Sequence, residues 1–73
     1  MSEVVVRTDI NANVWQVLVK PGDRVETDQD LVVLESMKME IPIPAPCGGV
    51  VREVLVAEKD QVVELQALVV IDG

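Results

Sequence analysis

The chain has 73 residues with thirteen acids against six bases, and a net charge of -7. Such a field makes nucleic acid or an anionic membrane surface a poor partner. There is no histidine and Cys47 is the single cysteine, which excludes Ser-His-Asp or Cys-His catalysis, a histidine-based metal site and an internal disulfide.

The chain is short enough for one domain, residues 1–73, near the lower limit at which a core sustains a fold. Seventeen residues are valine and Trp15 is the one aromatic, a composition that favours pleated strands. The expected class is all-β. Met1-Ser2-Glu3-Val4-Val5-Val6 has neither a basic n-region nor a long apolar run. The reading is a cytoplasmic chain with no signal peptide, transit peptide or membrane span.

Val4-Val5-Val6 begins a first strand, and Asp9 to Asn13 has the small polar residues of a turn. Val14 to Val19 is a second strand, stopped by Lys20-Pro21-Gly22-Asp23. Val25 opens a brief extended piece, Glu26 to Asp30 is polar, and Leu31 to Leu34 is the next strand. Met39 to Ile43 returns, and Pro44 to Gly49 breaks the pattern, with Cys47 read as a loop residue. Val50 to Val56 follows, then a turn at Ala57 to Asp60, a short Val62-Val63 and a last strand, Leu68 to Ile71. Trp15 is expected to anchor the core, since a lone aromatic has much area to bury.

Sliding the second half onto the first at an offset of 37 reveals an internal repeat. Ten of the twenty-one positions from 14 to 34 are identical to their counterparts. Chance apolar matching would account for the valines, but not for Asp23 on Asp60 or Gln29 on Gln66. Two similar halves predict a quasi-twofold sandwich or flattened barrel of two small antiparallel sheets, each half covering the other's apolar face. The chain termini then lie at the end opposite the connection at Met37-Lys38.

That connection is the place where the repeat breaks. Leu34, Glu35 and Ser36 fall on Ile71, Asp72 and Gly73, and only the first copy continues. Glu, Met, Lys and Leu favour helix by propensity. However, Pro42 and Pro44 forbid a helix interior, and Glu35 and Lys38 are charged where such a helix would bury a face. Two strands joined tightly at Met37-Lys38 fit better. Met-Lys is a poor choice for a two-residue turn, and a broken local rule marks a candidate functional site.

Glu35-Ser36-Met37-Lys38-Met39-Glu40 resembles the Glu-Ala/Ser-Met-Lys-Met signature of biotinyl domains, the carrier domains of biotin-dependent carboxylases. Pro44-Ala45-Pro46 and Gly48-Gly49-Val50 follow it as the family's Pro-x-x-Gly-x-Val segment does, and Lys38 stands 35 residues before Gly73. The resemblance covers nearly the whole chain. It implies the flattened two-sheet fold, covalent biotin on Lys38, and a carrier without catalytic groups of its own. Implied partners are a biotin protein ligase, a biotin carboxylase that loads a carboxyl group using ATP and bicarbonate, and a carboxyltransferase that passes it on, often to an acyl-CoA. A monomeric domain is expected, either free-standing or as part of a longer protein. The acidic surface serves solubility and, as a second reading, steers docking onto basic patches of these enzymes.

A lysine amine in water is protonated at neutral pH and is not by itself a nucleophile, and nothing in the sequence supplies a base. The ligase must therefore arrange the attack, while this chain presents the amine on a rigid tip. Met37 and Met39 are adaptable contacts for several enzymes in turn, although either is also a candidate to fold inward. Glu35 and Glu40 are candidates to pair with basic residues of the ligase, or else are solvated.

The sequence departs from the family where Asp28, Lys59 and Leu65 stand at positions commonly held by glycine, and Asn13 replaces another. Leucine does not take a left-handed backbone cheaply, so the turn at Leu65 is expected to differ in shape from the family's. The short Lys20–Asp30 connection leaves no room for the protruding "thumb" of some biotinyl domains. Two rival functions remain. One is a lipoyl carrier for a 2-oxo acid dehydrogenase or glycine cleavage system, against which Met37 and Met39 speak, or a protein accepting both groups. The other is an unmodified structural module, against which Lys38 speaks.

Overall fold

In the computed structural model, residues 3–73 are described, and the stretch Met1-Ser2 read above for targeting lies outside them. Among the described residues there are eight strands and no helix: β1 (Glu3–Arg7), β2 (Ala12–Val17), β3 (Arg24–Val25), β4 (Asp30–Ser36), β5 (Met39–Pro44), β6 (Gly49–Val54), β7 (Gln61–Val62) and β8 (Ala67–Asp72). No helix among the described residues is long and apolar enough to cross a membrane. The strands make two antiparallel four-stranded sheets, ordered β1-β8-β6-β3 and β5-β4-β2-β7.

These two orders are images of each other under the offset of 37, which carries β1 onto β5, β2 onto β6, β3 onto β7 and β4 onto β8. The expectation that each half forms one layer is corrected here. Each sheet takes two strands from each half, so the halves interlock. Interlocking makes every sheet dependent on both copies, and neither half carries an independent hydrophobic face.

The core follows the repeat residue by residue. Val14 and Val51, Val25 and Val62, Leu31 and Leu68, Val32 and Val69, and Leu34 and Ile71 are all buried. Each such aliphatic side chain contributes roughly 1.5–3 kcal/mol on burial. β2 and β6 end earlier than their apolar runs, yet Val19 and Val56 are buried beyond the strand ends. Thr8 is buried where its counterpart is Ala45, and its hydroxyl donates to the Ile10 carbonyl at 3.0 Å while accepting from the Ile10 N–H at 3.1 Å.

Trp15 is not a core anchor. It is 49% exposed, because Ala12 and Val14 take the inward positions of β2 and a bulge between Val14 and Gln16 keeps the next residues outside. Its counterpart is Arg52, which is also outward and pairs with Glu3 at 2.9 Å.

The matched polar residues close matched turns. The Asp23 carboxylate accepts the Lys20 N–H at 3.0 Å, and the Asp60 carboxylate accepts the Ala57 N–H at 2.8 Å. The Gln29 and Gln66 side chains accept the Glu26 and Val63 N–H groups, each at 3.1 Å. Side-chain caps of this kind satisfy backbone donors that no strand reaches. They hold residues without glycine in left-handed backbone: Lys59 has φ 77° where Gly22 has 95°, and Leu65 has 72° where Asp28 has 71°. The turn at Leu65 therefore keeps the shape of its counterpart within the chain, despite the leucine. The cap and the burial of Leu68, Val69, Val70 and Ile71 in the adjoining β8 outweigh the local strain of about 1–2 kcal/mol.

Candidate functional site

β4 and β5 form a hairpin in which Glu35 pairs with Glu40 and Ser36 with Met39, leaving Met37 and Lys38 as a two-residue loop. Both loop residues have positive φ, 52° and 65°. Positive φ at both central positions is the hallmark of a type I′ turn, whose twist matches that of the flanking strands. Asn-Gly would take this shape cheaply. Met and Lys each add strain of about 1 kcal/mol or more, so local stability does not account for these residues.

β4 is the anchor of the tip. It lies between β5 and β2 in its sheet, and Leu31, Val32 and Leu34 are fully buried. The tip itself is bare. Met37 is 91% exposed and Met39 63%, so neither folds inward. Lys38 is exposed, and its amine takes no ion pair or hydrogen bond among the described residues. Backbone pairing up to Ser36–Met39 fixes the place from which the amine projects, while the amine remains free to react.

Just behind the tip, pairing across β7, β2, β4 and β5 lines up Gln61, Asn13, Glu35 and Glu40 on one row. Paired residues of antiparallel strands share a face, and the next row, Val14–Leu34, points into the core. The polar row therefore faces outward. Glu35 and Glu40 stand directly opposite each other, an unfavourable placement for like charges, with no basic side chain paired to either among the described residues. A cleft of about 380 Å³ lies beside the tip, walled by Asn11, Asn13 and Gln61 on one side and by Glu35 to Lys38 on the other.

All five sequence candidates thus gather at one hairpin end. Asn11 and Gln61 were not found from sequence, because the pairing of β2 with β7 that brings them there leaves no local trace. Cys47 is half-buried beside the core, in the loop between β5 and β6.

With this geometry in view, comparison with known proteins identifies the scaffold. Residues 4–71 match the family model for biotin and lipoyl attachment, described as biotin-requiring enzyme. The chain belongs to the biotin/lipoyl attachment family. The attachment domain is 49% identical over 59 residues to a biotin/lipoyl attachment protein of Bacillus subtilis, covering 81% of each chain. It is also 41% identical over 75 residues to the dihydrolipoyllysine-residue acetyltransferase component of the pyruvate dehydrogenase complex of Pseudomonas aeruginosa. That match covers 90% of this chain and 14% of the relative. Among solved structures, a single-chain, multi-domain long-chain acyl-CoA carboxylase superposes with a TM-score of 0.86 at 31% identity, over 93% of this chain and 7% of that one. Members of the family are carrier domains, and the relatives include an attachment protein, an acetyltransferase component of a pyruvate dehydrogenase complex and a carboxylase.

Proposed function

We propose that this attachment domain is a biotin carboxyl carrier with the prosthetic group on Lys38, serving a carboxylase of the acyl-CoA type. The observation that carries the reading is the bare amine of Lys38 between two exposed methionines, on a strained two-residue turn that folding alone does not call for. The chain's own part is presentation. β4 holds the tip, Met37 and Met39 offer adaptable apolar contact, and Glu35 and Glu40 offer an unpaired acidic pair to a basic enzyme surface. A free, exposed amine fits a group that attaches through an amide. When bound, biotin supplies a ureido nitrogen that takes up and gives away a carboxyl group.

On this reading residues 1–73 act as one monomeric domain in the cytoplasm, where ATP for activating the prosthetic group is at hand. The partners are a biotin protein ligase, a biotin carboxylase and a carboxyltransferase. A second reading, lipoate on the same Lys38, is favoured by the identity to the Pseudomonas lipoyl-bearing component. Separate incubation with a biotin protein ligase and with a lipoate ligase, each with ATP and its acid, distinguishes the two. Faster acylation of Lys38 by biotin supports the carboxyl carrier, whereas faster lipoylation replaces it with the lipoyl reading.

A further inference from the structure

The pseudo-twofold symmetry provides an internal control, because each turn at the lysine end has a counterpart at the far end that performs the same folding task. The turn between β7 and β8, Val63 to Gln66, corresponds to Glu26 to Gln29 between β3 and β4. The two share backbone shape and caps, with φ 72° at Leu65 and 71° at Asp28. Their side chains differ. Glu26 and Asp28 are what an exposed turn should carry, but their counterparts Val63 and Leu65 are apolar and still 59% and 65% exposed. An exposed leucine in left-handed backbone is doubly unfavourable for a free domain.

Two further asymmetries fix this turn beside the lysine. The Asn11 side chain accepts the Glu64 N–H at 2.8 Å, where the counterpart of Asn11 is Gly48. The Arg7 guanidinium donates to the Leu65 carbonyl at 2.9 Å, where the counterpart of Arg7 is Pro44. Asn11, which holds the turn through Glu64, also walls the cleft that Lys38 lines. β7 runs antiparallel to β2, with Val62 opposite Ala12 at the start of that strand, so the turn leaves β7 at the hairpin end.

We propose that Val63 and Leu65 form, with Met37 and Met39, a docking surface for the biotin protein ligase that modifies Lys38. The ligase must bring its reacting centre to the Lys38 amine and so must cover this end. Glu35, Glu40 and Glu64 border the apolar contacts, so the complementary surface is apolar with a basic rim. The inference rests on the biotin reading of Lys38.

The test is biotin transfer by a biotin protein ligase with ATP and biotin, measured as kcat/KM for the attachment domain. Val63→Glu with Leu65→Asp copies the far-end turn and should keep the thermal midpoint while lowering kcat/KM about tenfold. Leu65→Gly, which removes the side chain without steric cost at positive φ, is the second variant and should lower it in the same direction. The mirror change, Glu26→Val with Asp28→Leu, should leave kcat/KM unaltered. Folded variants biotinylated as fast as the wild type would overturn the docking surface alone. A wild-type chain that takes no biotin on Lys38 would overturn the biotin reading, and this ligase surface with it.

Discussion

At the scale of single residues, Lys38 is defined by what it lacks. Its amine has no partner among the described residues, so removing it should leave the scaffold untouched. Lys38→Ala and Lys38→Arg should therefore melt within about 0.5 kcal/mol of the wild type. Both should lose modification, since alanine has no amine and a guanidinium stays protonated and forms no amide. Parallel melts and mass spectra check this, and a collapsed Lys38→Ala would make the lysine a structural residue. The place of Lys38 on a two-residue turn was legible in the sequence because the repeat isolates Met37-Lys38 as the stretch without a counterpart. Trp15 was misread by treating an aromatic as buried by default. Its repeat counterpart, Arg52, carried the correction within the sequence itself.

Turns and strands form the next scale, where symmetry predicts equal costs for equivalent changes. Asp23→Ala and Asp60→Ala each remove one turn-closing acceptor and should each cost about 1 kcal/mol, as chemical denaturation can measure. Lys59→Gly should instead stabilise, by up to about 1 kcal/mol, because it relieves a φ of 77° that Gly22 meets without strain. Symmetry fails at Gly49. A Cβ there would collide with the Asp72 carbonyl oxygen, whereas the counterpart Ala12 already carries one. Gly49→Ala should destabilise by about 2 kcal/mol or more, with strands β6 and β8 forced apart. Strand positions were largely legible from apolar runs and turn residues. The shape of the turns was not, since Leu65 and Lys59 contradict local propensity, and beside the local Gln66 and Asp60 caps the Leu65 turn is held by Arg7 and Asn11, which only the fold brings into place.

For the molecule as a whole, interlocked halves mean that damage to either copy should unfold both sheets together. Val14→Asp and Val51→Asp each place a carboxylate in the core without a partner, and each should cost more than about 3 kcal/mol. Val17 and Val54, which are only half-buried at the strand ends, should tolerate aspartate better. A single cooperative transition in every variant is the expected melt. The two-sheet class was legible in the repeat, but the interleaving of its strands was not, because an offset reports similarity and says nothing of which copy pairs with which.

The central claim is that this scaffold exists to present one amine out of the three lysines in the chain, Lys20, Lys38 and Lys59. The most direct measurement is intact mass followed by peptide mapping after complete treatment with a biotin protein ligase, ATP and biotin. One added biotin, found only on the peptide containing Lys38, is the predicted result. Biotin on Lys20 or Lys59, or a Lys38 that stays unmodified, would contradict it.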